Sequence, residues 1–97
     1  MIWLSAAAAL LRPYVSDKNH WIVLNHGLFQ GYYWMHHYEQ ERNMRDQLAD
    51  HPYYQDCVDF CANWDQCSFD PAYQNQPLAH FVPMIERIFA RTPGTCL

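Results

Sequence analysis

Trp21-Ile22-Val23-Leu24-Asn25-His26-Gly27-Leu28-Phe29-Gln30-Gly31-Tyr32-Tyr33 is the stretch that decides the fold of this 97-residue chain. Ile22, His26, Phe29 and Tyr33 stand 4, 3 and 4 positions apart, which places them on one helical face. Just upstream, Ser16 or Asp17 can cap such a helix, because a short oxygen-bearing side chain accepts from N–H groups that the first turn leaves unpaired. Gly27 and Gly31 loosen the segment, so the sequence predicts an end or a bend near Gly31.

The same period recurs on both sides. Upstream, an alanine-rich helix is expected from about Ile2 to Arg12, stopped by Pro13. Its apolar run resembles a short secretory leader, but the first Lys or Arg is Arg12, after the run, and the run is too short to cross a bilayer. It reads as a buried helix. Downstream, Tyr32 to Tyr38 is rich in aromatic residues and histidine, and its Tyr32-Tyr33-Trp34 cluster suits a core or domain interface, or the lining of a substrate pocket in a complete domain. Glu39 to Ala49 is polar and predicts a solvated helix. Asp50-His51-Pro52 is a helix-start signal, a capping acid followed by proline in the first turn. The helix after it should reach Trp64, with Tyr54, Val58, Cys61 and Asp65 spaced 4, 3 and 4. That puts Asp65 at the end of an otherwise apolar stripe.

Ser68 to Gln76 reads as a loop around Asp70 and Pro71. A last helix, from about Pro77 to Arg91, places Leu78, Phe81, Ile85 and Ile88 on one face, and Pro93-Gly94 ends it. No two-period run of any length interrupts this pattern. The expected fold class is therefore all-α, with four to five helices in a single unit spanning 1–97.

Composition limits what such a unit can do. Hydrophobic residues make up 51% of the chain, too many for a disordered one. Six Lys and Arg against ten Asp and Glu give a net charge of -4, and no basic run exists, so a nucleic-acid partner finds no electrostatic footing. No membrane partner is expected either. The cysteines are Cys57, Cys61, Cys67 and Cys96. Cys57 and Cys61 sit four apart on a helix, where side chains rarely meet in disulfide geometry, and no CxxC pair suggests zinc. Reduced thiols in a cytoplasmic protein are the expectation, with a secreted, cysteine-bridged peptide as the alternative.

Two polar residues, His26 and Asp65, fall on apolar faces. A carboxylate turned inward needs a partner, because an unpaired buried charge is costly. A metal ion, an arginine and a helix N-terminus would each serve. His36 and His37 are adjacent and point about 100° apart on a helix, a poor geometry for one ion. His20 is expected at the surface, His51 in a cap and His80 half-buried.

Several segments together resemble the second half of an HD-type metal domain. Leu11-Arg12-Pro13-Tyr14-Val15-Ser16-Asp17-Lys18, followed by Trp21 to Gly27, is similar to the place where a helix ending in "AxxLR" leads into a helix with an isolated ligand histidine. Asp50-His51-Pro52-Tyr53-Tyr54, through Cys57-Val58-Asp59-Phe60 to Asn63-Trp64-Asp65, resembles the helix that delivers the family's last aspartate. Gln76-Pro77-Leu78-Ala79-His80-Phe81-Val82-Pro83-Met84 is similar to the closing "PxEHFxPM" helix, with Ala79 in place of the acid. The resemblance spans roughly residues 6 to 90, and its nearest branch is that of the HD-type di-iron oxygenases and their phosphohydrolase-like relatives.

What the resemblance implies is a partial HD-type bundle, the truncated C-terminal half of a metal-dependent phosphohydrolase or di-iron oxygenase, with iron or manganese as cofactor and a small-molecule substrate. His26 and Asp65 would be metal ligands. Gln30 and Tyr33 would line the substrate pocket, with Gln30 where phosphonate-handling relatives carry lysine, which favours a neutral polar contact. The early histidine and the His-Asp pair would lie before Met1. A further ligand histidine is expected eight positions before Leu11, where Trp3 stands. The chain alone should then be inactive. The other expectation is a non-catalytic helical interaction protein that forms a homodimer through exposed apolar faces, or associates with the missing half.

Overall fold

The computed structural model describes residues 2–94. It is all-α, and no strand occurs among the described residues. Four α-helices follow one another: α1 (Ile2–Leu11), α2 (Asp17–Trp34), α3 (Tyr54–Phe60) and α4 (Leu78–Phe89). Short 3-10 turns join them at Arg12–Tyr14, Met35–Tyr38, Met44–Leu48 and Cys67–Phe69, and a π turn, Cys61–Asp65, extends α3.

Pro13 ends α1 as expected, because it falls in the 3-10 turn that follows. Of the two possible caps for α2, Ser16 does the work: its Oγ accepts from Asn19 N at 3.2 Å. The helix then runs past Gly31 to Trp34, contrary to the end or bend expected there. Gly31 serves close packing instead. A Cβ at that position would meet the Met35 side chain at 2.7 Å.

The polar stretch after Tyr38 also departs from expectation. Glu39 turns the chain with a left-handed φ of 58°, and only Met44–Leu48 is helical, as a 3-10 turn rather than a solvated α-helix. Asp50 caps nothing. Helix α3 starts later, at Tyr54, where His51 Nδ1 accepts from Tyr53 N at 3.1 Å. Asp70 behaves as a turn residue, its Oδ1 accepting from Ala72 N at 2.9 Å.

The core forms where α2 crosses α3. Phe29, Cys57 and Cys61 are fully buried there. Trp21, Ile22, Leu28, Tyr33, Leu48, Tyr54, Val58 and Phe60 pack around them. Phe29 lies 5.8 Å from the Trp21 ring and 5.3 Å from that of Tyr54. Trp21 in turn stacks on His51 at 4.2 Å, closing the far side of the α2–α3 seam. α1 lies against α2 and buries Ala8, so the alanine-rich helix is only partly enclosed.

α4 stays outside this core. The sequence expects Leu78, Phe81, Ile85 and Ile88 to face inward, yet Leu78 is 87% exposed and Ile85 52%. His80 is exposed as well, not half-buried. The helix meets the rest of the chain at its C-terminal end, where Phe89 packs edge-on to Tyr14 at 4.8 Å and Gly94 N donates to Pro13 O. No helix among the described residues is long and apolar enough to cross a membrane.

Candidate functional site

His26 and Asp65 line one cleft of about 400 Å³, together with Trp3, Leu4, Gly27, Gln30, Trp34 and Phe69. A second cleft of about 310 Å³ adjoins it, lined by Gln30, Tyr33, Trp34, Gln66 and Phe69. Gln30, Trp34 and Phe69 belong to both, so the four residues singled out in the sequence border one continuous region.

α2 supplies His26 one turn before Gln30. Its Nδ1 lies 3.1 Å from the carbonyl oxygen of Ile22 and 2.9 Å from that of Val23. Carbonyl oxygens only accept, so Nδ1 carries the hydrogen, which in the neutral ring leaves the lone pair on Nε2. A histidine held by a carbonyl in this way is the form that binds a metal through its other nitrogen. Phe60 packs edge-on to the ring at 5.6 Å and limits its swing. Below it, Cys61 Sγ donates to the His26 carbonyl at 3.6 Å, tying α2 to α3 under the cleft.

Asp65 comes from the π turn that follows α3. Gln66 N donates to Cys61 O at 2.8 Å, one residue beyond the ordinary helical bond, and Ser68 Oγ donates to the Asp65 carbonyl at 2.6 Å. Such wide turns recur at functional sites because they re-aim a side chain without breaking the helix. Asp65 is half-buried, and among the described residues no basic side chain forms an ion pair with its carboxylate. The arginine and helix-end partners that the sequence leaves open are not what it finds here.

Gln30 is 8% exposed and donates from Nε2 to Gln66 Oε1. Its own Oε1 is buried with no partner. The two core thiols share a hydrogen bond, which drives the pKa of Cys57 up and that of Cys61 down; burial adds to the first and opposes the second. Cys57, Cys61 and Cys67 are all free.

The remaining polar clusters lie off this cleft. Arg42 and Arg45 cover the Tyr32 ring at 4.0 and 3.9 Å, a cation–π arrangement. His36 and His37 lie 4.0 Å apart, and His36 has a lowered pKa through desolvation and through the charges of His37 and Arg42. His20, expected at the surface, is half-buried and accepts from Arg12 Nη1 at 2.9 Å.

His26 and Asp65 are each a suitable donor for a divalent metal. Among the described residues, however, no group of three or more His, Cys, Asp or Glu gathers to hold an ion. Two donors fall short of the roughly four to six that such ions take, and the pair alone supports no catalytic step. Leu4, Gln66 and Phe69 are lining residues that the sequence reading does not place in a pocket. Gln66 follows Asp65 directly but lies five residues after Cys61, off the 4, 3, 4 stripe, and its bond to Gln30 spans two helices. Comparison of the chain with family profiles, with curated proteins and with solved structures finds no match.

Proposed function

We propose that this chain forms one wall of an HD-type metal site, with His26 and Asp65 as two of its ligands and the remaining ligands supplied by a preceding segment or another polypeptide. The observation that carries this reading is a convergence. Trp3, His26 and Asp65 stand far apart in sequence at positions where the resemblance places ligands, and all three border the same cleft. The lone pair left on His26 Nε2 and the carboxylate of Asp65, with no basic partner among the described residues, fit the role. Iron or manganese is the metal class that suits a mixed imidazole and carboxylate set. The completed site would act as a phosphohydrolase or oxygenase on a small molecule held beside Gln30 and Tyr33. The free thiols favour a reducing, cytoplasmic setting.

Restoring the ligand at position 3 tests this. Trp3→His should bind Mn²⁺ or Co²⁺ at least about tenfold more tightly than the parent chain by calorimetric titration, since an added ligand contributes on the order of 1.4 kcal/mol or more. Adding His26→Ala or Asp65→Ala should abolish that gain. Equal affinity in Trp3→His and the parent, or a gain that survives both alanine substitutions, refutes the assignment. A second reading, a non-catalytic interaction protein, is favoured by the uncovered face of α4.

A further inference from the structure

α4 carries its apolar residues on a continuous stripe. At 100° per residue, Leu78, Phe81, Ile85 and Ile88 fall within about 80° of one another, and Val82 and Phe89 widen the stripe on one side. Every position from Leu78 to Arg87 is exposed. A helix with this pattern ordinarily buries its stripe, yet here the chain contacts the helix at its C-terminal end, through Tyr14 and Pro13.

The size of what is left open can be gauged against the whole molecule. The chain exposes 7167 Å². A compact monomer of 11.6 kDa exposes about 5,800 Å², so roughly 1,300 Å² is in excess. The radius of gyration, 15.1 Å, likewise exceeds the roughly 12.5 Å of a compact chain of this length. A stable protein interface takes about 800 Å² from each partner; the whole-chain excess is larger than this, and Leu78, Phe81, Val82, Met84, Ile85 and Phe89 of α4 are among the exposed large apolar residues that contribute to it.

We infer that the stripe on α4 is a self-association surface and that its occupant is α4 of a second copy, packed antiparallel. The pattern favours a second copy over a dissimilar protein. Its spacing of 3, 4 and 3 reads the same in both directions, so a two-fold axis at the level of residue 83 sets Leu78 of one copy beside Ile88 of the other, and Phe81 beside Ile85. No ionised residue lies within the stripe, so the two identical faces meet without like-charge repulsion; His80, Glu86 and Arg87 lie off it. This pairing does not rest on the metal reading, and neither fails with the other.

Sedimentation equilibrium across the micromolar range, with far-UV circular dichroism on the same samples, tests the pairing. The parent chain should sediment at twice its 11.6 kDa mass. Ile85→Glu should sediment at the single mass with unchanged helicity, and Phe81→Ser, a milder change on the same face, should weaken dimerisation at least tenfold. Tyr38→Glu, at an exposed position beyond the end of α2, should leave the dimer intact. A parent chain at single mass throughout overturns the inference, as does a dimer that survives Ile85→Glu, or one that Tyr38→Glu dissolves equally. Binding of the monomeric parent to phosphatidylcholine vesicles would overturn it in favour of a lipid occupant.

Discussion

Phe29→Ala and Phe81→Ala remove the same atoms from two environments, and the difference between them measures where the chain keeps its stability. Phe29 is 0% exposed and sits between the Trp21 and Tyr54 rings, so truncation there opens a cavity bounded by an aromatic ring on each side. Loss of transfer energy plus the cavity costs about 3–5 kcal/mol for a fully buried phenylalanine. A chain of 97 residues has a total stability on the order of 5–15 kcal/mol, and the small set of fully buried side chains among the described residues places this one toward the low end. Phe29→Ala should therefore be largely unfolded or close to it at room temperature. Phe81 is 40% exposed on a helix that lies outside the core, and its truncation should cost no more than about 0.5 kcal/mol in the monomer. Urea unfolding at high dilution, followed by far-UV circular dichroism and by tryptophan fluorescence, reads both values without contribution from association. A cost below about 1 kcal/mol for Phe29→Ala, or equal costs for the two, would refute the assignment of the core to the α2–α3 crossing.

Gln30→Leu should be neutral or stabilising by up to about 1 kcal/mol in thermal unfolding, because it removes a buried acceptor that has no partner while Gln66 stays solvated; a loss above about 2 kcal/mol would contradict this. Alkylation of the native chain followed by peptide mass mapping should modify Cys67 fast and leave Cys57 and Cys61 untouched until urea is added, since the first is exposed and the others fully buried. The His36 imidazole should titrate below the ordinary histidine value of 6.5 by NMR, and Arg42→Gln should move the midpoint upward by removing a like charge. With a lowered folded-state pKa, the unfolded chain binds the proton more readily, so this residue's contribution is lost as pH falls from 6.5 through the folded midpoint.

How much of this was legible in the sequence depended on how local each determinant was. Helix existence followed from spacing alone, because the stripe Ile22, His26, Phe29, Tyr33 needs only its own period, and Phe29 is indeed the buried centre. Boundaries failed where a neighbouring residue's local contact overrode single-residue propensity. Gly31 predicts a break, but the helical ladder runs through it to Trp34, with Met35 N donating to the Gly31 carbonyl. Asp50 has the chemistry of a cap, yet the His51 ring takes the bond to Tyr53 N and the helix starts later. At the cleft, His26 and Asp65 stood out because each is polar on an apolar face. Gln66 and Phe69 did not, since the π turn and the 3-10 turn after it have no fixed period to read. The inward face expected for α4 went wrong for a different reason. Amphipathicity says that a face seeks cover, without saying whether the cover comes from the same chain.

The attachment of α4 at one end has a mechanical consequence. Twelve residues at 1.5 Å each make a rod of about 18 Å, with its pivot near Phe89 and its free tip at Leu78. A tilt of only about 20° at the pivot carries the tip through roughly 6 Å, with the amplitude falling steadily toward the anchored end. A fluorophore or spin label at position 78 should thus report large excursions in the isolated chain, one at position 89 almost none, and the contrast should vanish once the stripe is engaged.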